Sequence, residues 1–423
     1  MNEIDEIVVT GGRPLHGTVR IQGSKNTALP VMAAALLSSG TSVLRECPKI
    51  TDVFLMEKIL RELGAETWWE DHDLYLDCSH ADGTVIPEYF SGKMRSSVIL
   101  LGAMLGRNGK ARTGYPGGCV IGKRPVDLHI QVLQKLGARI VENGNEIQAT
   151  CGKLKGAEVI FPKSSVGATE QGILAAVLAE GKTVFTGCAR EPEITWLCQY
   201  LTGMGAKIEI LENGSICIEG VKKLHPGSGT IPPDRIVAGT YLMAVAATRG
   251  EIILENPPID EMHAILEVYR KMGGQCHRIG GKLIVNGKNA GFPLELLETD
   301  VYPGFPTDLQ SPAMAVLATI PGVSRIREKI FEDRYKLASW LCHMGAKIEI
   351  RDGMAVVHGG YPLRGCIVEA EELRGGAALV IAALAAEGVT RIRGCSFIER
   401  GYEHICEDLT ALGGLLIKDR GTL

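Results

Sequence analysis

The chain repeats itself six times. A helix-like segment ends in Leu or Met, then Gly, then Ala or Gly, at Leu63-Gly64-Ala65, Leu136-Gly137-Ala138, Met204-Gly205-Ala206, Met272-Gly273-Gly274, Met344-Gly345-Ala346 and Leu412-Gly413-Gly414. The glycines recur at intervals of 68 to 73 residues. Each suits the position just past a helix C-terminus, where the backbone turns left-handed and a side chain is a liability. Alternating polar and apolar residues follow, as in Lys207-Ile208-Glu209-Ile210 and Lys347-Ile348-Glu349-Ile350. That is the period of a half-buried strand. Asn213-Gly214 and Asp352-Gly353 then precede second short strands, so each pair reads as a hairpin.

A second helix recurs in every copy, rich in Ala and Leu and ending near Gly40, Gly109, Gly181, Gly250, Gly322 and Gly388. Strands such as Glu251–Leu254 and Val389–Ile392 follow it. The repeating unit therefore holds two helices and several strands. Its length exceeds that of common solenoid repeats, so the expected organisation is α/β, with two globular domains of three units each. With 423 residues, 45% hydrophobic, the chain is long enough for both cores.

Charge follows the repeat. Lys25, Arg95, Lys163, Arg235, Asp308 and Arg374 lie near the starts of the six Ala-rich helices. They precede the closing glycines by 15, 14, 18, 15, 14 and 14 residues. A helix N-terminus already favours anions through its unpaired N–H groups and its dipole. A cation there opposes the dipole, so helix stability does not explain it. One such charge is explained as a solvated surface group; five in register point to an anion-binding cleft. Asp308 is either an N-cap or the one base in a basic site.

The segment Gly114-Tyr115-Pro116-Gly117-Gly118-Cys119-Val120-Ile121-Gly122-Lys123-Arg124-Pro125 has the glycine content of a mobile lid. Pro125 suits the first position of a helix whose apolar face is Leu128, Val132 and Leu136. Cys119, with Lys123 and Arg124 close in sequence, is a candidate nucleophile or proton donor. The other cysteines of the 12 form no C-x-x-C pair or zinc-finger spacing. They read as small buried hydrophobes in a reducing compartment. The N-terminus, Met1-Asn2-Glu3-Ile4-Asp5-Glu6, lacks a signal-peptide core, and no apolar stretch is long enough to span a bilayer. A cytoplasmic protein is expected. With 45 basic and 49 acidic side chains, general nucleic-acid binding is not.

Together, Gly23-Ser24-Lys25-Asn26, Met94-Arg95-Ser96, Pro116-Gly117-Gly118-Cys119, Gly122-Lys123-Arg124-Pro125-Val126-Asp127-Leu128-His129, Ser165-Val166-Gly167-Ala168-Thr169, Ala189-Arg190-Glu191-Pro192-Glu193, Pro233-Asp234-Arg235, Phe305-Pro306-Thr307-Asp308-Leu309-Gln310, Leu373-Arg374-Gly375 and Arg400-Gly401-Tyr402-Glu403 form a specific set. In this order and spacing the chain resembles the enolpyruvyl transferase family almost end to end. Within it, the resemblance is to the branch whose acceptor is UDP-N-acetylglucosamine. It implies an inside-out α/β barrel of two domains, residues 25–232 and residues 1–24 with 233–423, and an active site in the cleft between them. It implies transfer of the enolpyruvyl group of phosphoenolpyruvate to the sugar 3′-hydroxyl by addition and elimination, the first committed step of peptidoglycan precursor synthesis. No cofactor or metal is implied, nor any nucleic-acid or membrane partner, and a monomer is expected.

The roles below come from that resemblance. Lys25, Asn26, Arg124 and Arg374 hold phosphoenolpyruvate. Arg95, Arg124, Pro125, Val126, Asp127, Leu128, Lys163, Ser164, Ser165, Val166, Asp308 and Ile330 contact the sugar nucleotide, and Arg334 lines the cleft. Cys119 protonates C3 of phosphoenolpyruvate or bonds to it, and is the fosfomycin alkylation site. Asp308 takes the hydroxyl proton. Thr27, Ser311-Pro312-Ala313, Phe331-Glu332-Asp333-Arg334-Tyr335 and Glu372 depart from the family's usual residues. They bear on local packing and affinity, not on the reaction. The rivals are the shikimate-pathway enolpyruvyl transferase, which uses no loop cysteine, and a silent sugar-nucleotide-binding paralogue.

Overall fold

In a computed structural model, residues 5–117, 122 and 125–420 are described. They form two compact units. One takes 23–117 and 125–232; the other takes 5–22, 122 and 233–420. Each contains three four-stranded sheets.

The repeat resolves into one topology. Strand Glu158–Ile160 leads through helix Val166–Ala176 to strand Lys182–Thr186, which pairs with it in parallel. Helix Pro192–Gly203 follows, then an antiparallel hairpin, Lys207–Ile210 with Ile216–Glu219, whose second strand joins Lys182–Thr186. The short parallel edge strand is the part that sequence pattern misses. At two or three residues, as in Val85–Ile86 or Leu297–Glu298, it is too short to show a period.

All six sequence glycines close their helices in the same way. Gly64, Gly137, Gly205, Gly273, Gly345 and Gly413 have φ between 89° and 107°. At the first, the N–H of Gly64 donates to the Arg61 carbonyl and that of Ala65 to the Leu60 carbonyl, at 2.9 and 3.0 Å. This paired pattern satisfies two otherwise unpaired carbonyls of the last turn, and the other five copies repeat it. Of the Ala-rich helices, the fourth differs: Arg249, not Gly250, takes the left-handed conformation.

The Ala-rich helices are the inner layer of each unit. Arg235–Thr248 is buried at every position, and Leu373–Ala385 from Leu373 to Leu384. A helix that is apolar all round must be covered on all sides. Arg235–Thr248, Gln310–Thr319 and Leu373–Ala385 pack on one another, as Leu100–Asn108 and Val166–Ala176 do in the other unit. Small residues let them approach closely; a Cβ on Gly102 would sit 2.3 Å from the Gln171 carbonyl oxygen. The amphipathic helices and the sheets lie outside this layer, with strands such as Asp73–Asp77 and Glu251–Glu255 alternating buried and half-buried residues. Among the described residues no helix is long and apolar enough to cross a membrane.

Each unit closes through a strand distant in sequence. Ser228–Thr230 returns to pair with Thr41–Arg45. In the other unit, Asp5–Thr10 lies between Val389–Arg393 and Leu415–Arg420. Glu6 is buried there and receives hydrogen bonds from Arg391 and Arg393 at 3.2 and 2.8 Å. Burial pushes the Cys78 and Cys198 thiols up to about 12, so these two are protonated at neutral pH.

Candidate functional site

The expected site residues fall into two groups, one on each unit. In the unit holding residues 233–420, three of them meet. Asp308 lies in the 3-10 turn Thr307–Leu309, directly before helix Gln310–Thr319. Arg374 is the second residue of helix Leu373–Ala385, and Arg334 comes from the 328–335 loop. The Asp308 carboxylate receives Arg334 Nη2 on one oxygen at 3.0 Å and Arg374 Nε and Nη2 on the other at 3.1 and 3.0 Å. Both guanidinium side chains are only 3% exposed, and Asp308 is 28% exposed. The carboxylate therefore reaches solvent while its partners do not.

Two buried cations share this one carboxylate. Nε and Nη1 of Arg334 and Nη1 of Arg374 have no hydrogen-bond partner among the described residues. Buried donors without acceptors are costly, so the arrangement suits an incoming anion. Burial opposes the Arg374 charge. Tyr402, Asp308 and Asp234 more than offset it, and its pKa lies above the ordinary arginine value.

The residues that depart from the family pattern build this corner. Glu372 caps its helix: one carboxylate oxygen accepts the Arg374 N–H at 2.8 Å and the other the Gly375 N–H. The Tyr335 hydroxyl accepts the Glu328 N–H at 2.7 Å and lies 2.9 Å from the carbonyls of Ile326 and Gly353. This pins the loop that carries Arg334. The Phe331 ring lies 5.5 Å from the Arg334 guanidinium carbon, in range of a cation–π attraction. Ile330 donates its N–H to Glu328 at 2.8 Å in the same turn.

The second group lies on the other unit. Lys25 is the first residue of helix Lys25–Ala35, capped by Ser24 and followed by half-buried Asn26. Its ammonium pairs with buried Asp52 at 2.6 Å. Sequence reading missed Asp52, which begins the amphipathic helix of the same repeat and shows no local signal of a polar role. Arg95 opens the 3-10 turn leading to helix Leu100–Asn108 and donates to the Pro125 carbonyl at 2.8 Å. Thus Arg95 and Pro125, 30 residues apart, are joined.

Pro125 is not at the first helical position. The helix is Asp127–Lys135 with Val126 as its cap, so the proline precedes the cap. Proline fixes the approach of the chain here, not the first turn. The expected apolar face holds: Leu128, Val132 and Leu136 are buried. Lys163 also departs from the register. Ser165 caps helix Val166–Ala176, leaving Lys163 exposed and upstream. Its separation of 18 residues from Gly181, against 14 or 15 elsewhere, was the sign of this. His129 hydrogen-bonds Gln171 and its ring abuts Gly167. That contact ties helix Asp127–Lys135 to helix Val166–Ala176. Cys119 and Arg124 lie outside the described residues.

The comparisons agree with one another. A family model described as EPSP synthase (3-phosphoshikimate 1-carboxyvinyltransferase) matches residues 9–409. UDP-N-acetylglucosamine 1-carboxyvinyltransferase 2 of Carboxydothermus hydrogenoformans is 42% identical over 412 residues, covering 97% of this chain and 98% of its own. UDP-N-acetylglucosamine 1-carboxyvinyltransferase of Paramagnetospirillum magneticum is 41% identical over 420 residues, 97% of each chain. Among solved structures, the enolpyruvyl transferase NikO from Streptomyces tendae superposes with a TM-score of 0.89 at 24% identity, covering 98% of this chain and 99% of its own. EPSP synthase from Acinetobacter baumannii gives 0.74 at 19%, covering 97% and 98%. The α/β fold of the enolpyruvyl transferases is thus this chain's fold, and the chain belongs to the EPSP synthase (3-phosphoshikimate 1-carboxyvinyltransferase) family of enolpyruvyl transferases.

Proposed function

We propose that the chain transfers the enolpyruvyl group of phosphoenolpyruvate to the 3′-hydroxyl of UDP-N-acetylglucosamine and releases phosphate. The observation that carries this reading is near-full-length identity of about 40% to several relatives bearing that activity in their names.

The 3′-oxygen attacks C2 of phosphoenolpyruvate while C3 gains a proton. The tetrahedral adduct then loses phosphate and the C3 proton. A base at the hydroxyl and an acid at C3 act together. In this reading Asp308 is the base. The carboxylate is partly open to solvent while both arginine contacts persist, so a hydroxyl can reach it. Those contacts fix the carboxylate and spare it reorganisation during the step. Arg374, Lys25, Asn26 and Arg124 hold the two anionic groups of the donor. Arg334 extends that positive field. Arg95, residues 125–128, residues 163–166 and Ile330 hold the sugar nucleotide, and Cys119 serves C3. A monomeric cytoplasmic enzyme of peptidoglycan precursor synthesis completes the reading.

Phosphate release from phosphoenolpyruvate tests it, with UDP-N-acetylglucosamine and shikimate 3-phosphate offered separately. Release with the sugar nucleotide alone is expected. Release with the shikimate ester alone overturns the acceptor assignment, and release with neither overturns the enzymatic one.

A further inference from the structure

The Arg400-Gly401-Tyr402-Glu403 segment contains a side chain with no assigned role. Tyr402 is 1% exposed, and its ring centre lies 5.4 Å from the Arg374 guanidinium carbon. Its hydroxyl is 2.8 Å from the hydroxyl of Thr240, itself 1% exposed on helix Arg235–Thr248. Thr240 donates to the Ile236 carbonyl at 2.8 Å. A threonine hydroxyl has one proton, so in this bond Tyr402 must be the donor. The order of the chain is therefore fixed: Tyr402 to Thr240 to Ile236. Asp234 anchors its start, accepting the N–H groups of Ile236 and Val237 at 2.7 and 3.1 Å.

With its proton committed to Thr240, the Tyr402 oxygen keeps its lone pairs for other partners. The guanidinium of Arg374 has the ring beside it and Asp308 on its Nε and Nη2. A core-filling role would be served better by phenylalanine, which buries no hydroxyl. We propose that Tyr402, braced by Thr240, is a positioning residue: it sets the orientation of Arg374 toward the donor's anionic group. The inference rests on the proposed function, in which Arg374 binds phosphoenolpyruvate.

The test is steady-state kinetics of the full chain, each substrate varied with the other saturating. Tyr402→Phe keeps the ring and removes the hydroxyl. Its KM for phosphoenolpyruvate is expected to rise about tenfold, the scale of removing one partner of a buried hydrogen bond. The KM for UDP-N-acetylglucosamine should stay within about twofold, the scale of a minor surface change. Thr240→Val should act in the same direction, and Thr240→Ser, which keeps the hydroxyl, should restore wild-type kinetics. An unchanged donor KM in Tyr402→Phe overturns the proposal. So does an equal rise for both substrates accompanied by a lower Tm, the result expected of a core residue. A wild-type chain without turnover refutes the functional reading separately. The inference is then decided by titrating inorganic phosphate against thermal stability. Weaker binding in Tyr402→Phe supports it, and equal binding overturns it.

Discussion

Replacing Asp308 by alanine should expose the charge balance of the site. The substitution removes the one carboxylate that Arg334 and Arg374 share, at 3.0 Å from each. Both guanidiniums are 3% exposed and cannot turn to water without moving the elements that bury them. Breaking a buried pair costs about 3–5 kcal/mol, because the surviving charge stays desolvated. Asp308 is itself 28% exposed, so water will enter its place and the lower end, about 3 kcal/mol, is expected. For a unit of this size that lowers Tm by about 6–12 °C. The loss should be reversible by an anion. Inorganic phosphate at about ten times its Kd returns about 1.4 kcal/mol, and chloride at equal ionic strength returns less. Asp308→Asn keeps an acceptor oxygen, so it should lose less stability. It should still lose about 100-fold or more in turnover, the contribution of a general base. Calorimetry in phosphate and in chloride, beside phosphate-release kinetics, reads both effects. A stable Asp308→Ala without anion-dependent recovery would show that the two arginines do not depend on this carboxylate, and the charge argument would fail.

Cys119→Ser should abolish activity, or at minimum sensitivity to fosfomycin; normal turnover with normal inhibition removes the thiol from the reaction. Gly137→Ala should cost about 1–2 kcal/mol, because φ is +90° and an added Cβ meets no atom within 4 Å. Gly102→Ala should cost more, about 3 kcal/mol, since the Cβ would sit 2.3 Å from a carbonyl oxygen; urea denaturation that ranks the two the other way refutes the close-packing argument. The hydrogen bond from Arg393, joined by Arg391 and opposed by burial, holds the Glu6 carboxyl below its ordinary 4.5. Its stabilisation is therefore present above pH 4.5 and lost as pH falls through the lower folded value. Glu6→Gln should lower Tm at neutral pH, with the gap to wild type closing in acid. A constant gap would assign the loss to shape instead of charge.

Much of this protein is written locally. A helix that ends in Gly at a left-handed turn, followed by a strand of period two, is a short-range instruction. It is repeated six times, so the repeat, the hairpins and the registers of Lys25, Arg95, Arg235, Asp308 and Arg374 could be read along the chain. Even the misplacement of Lys163 left its trace in the spacing. The resemblance supplied named roles for residues that no local pattern identifies. It could not supply the departures: Glu372 is recognised as a helix cap, and Tyr335 as a loop brace, only from their hydrogen bonds.

What the tertiary structure alone decided is which distant groups meet. Asp308, Arg334 and Arg374 span 66 residues and lie on three elements; no periodicity predicts that one carboxylate will serve both cations. Lys25 reads as a helix-start residue and Asp52 carries no local signal, and only packing makes them a pair. Tyr402 and Thr240 are 162 residues apart. Sequence fixes the conformation of a segment because backbone and capping forces act over a few residues. The partners of a buried charge are chosen by which helices pack together, and that depends on the whole core at once.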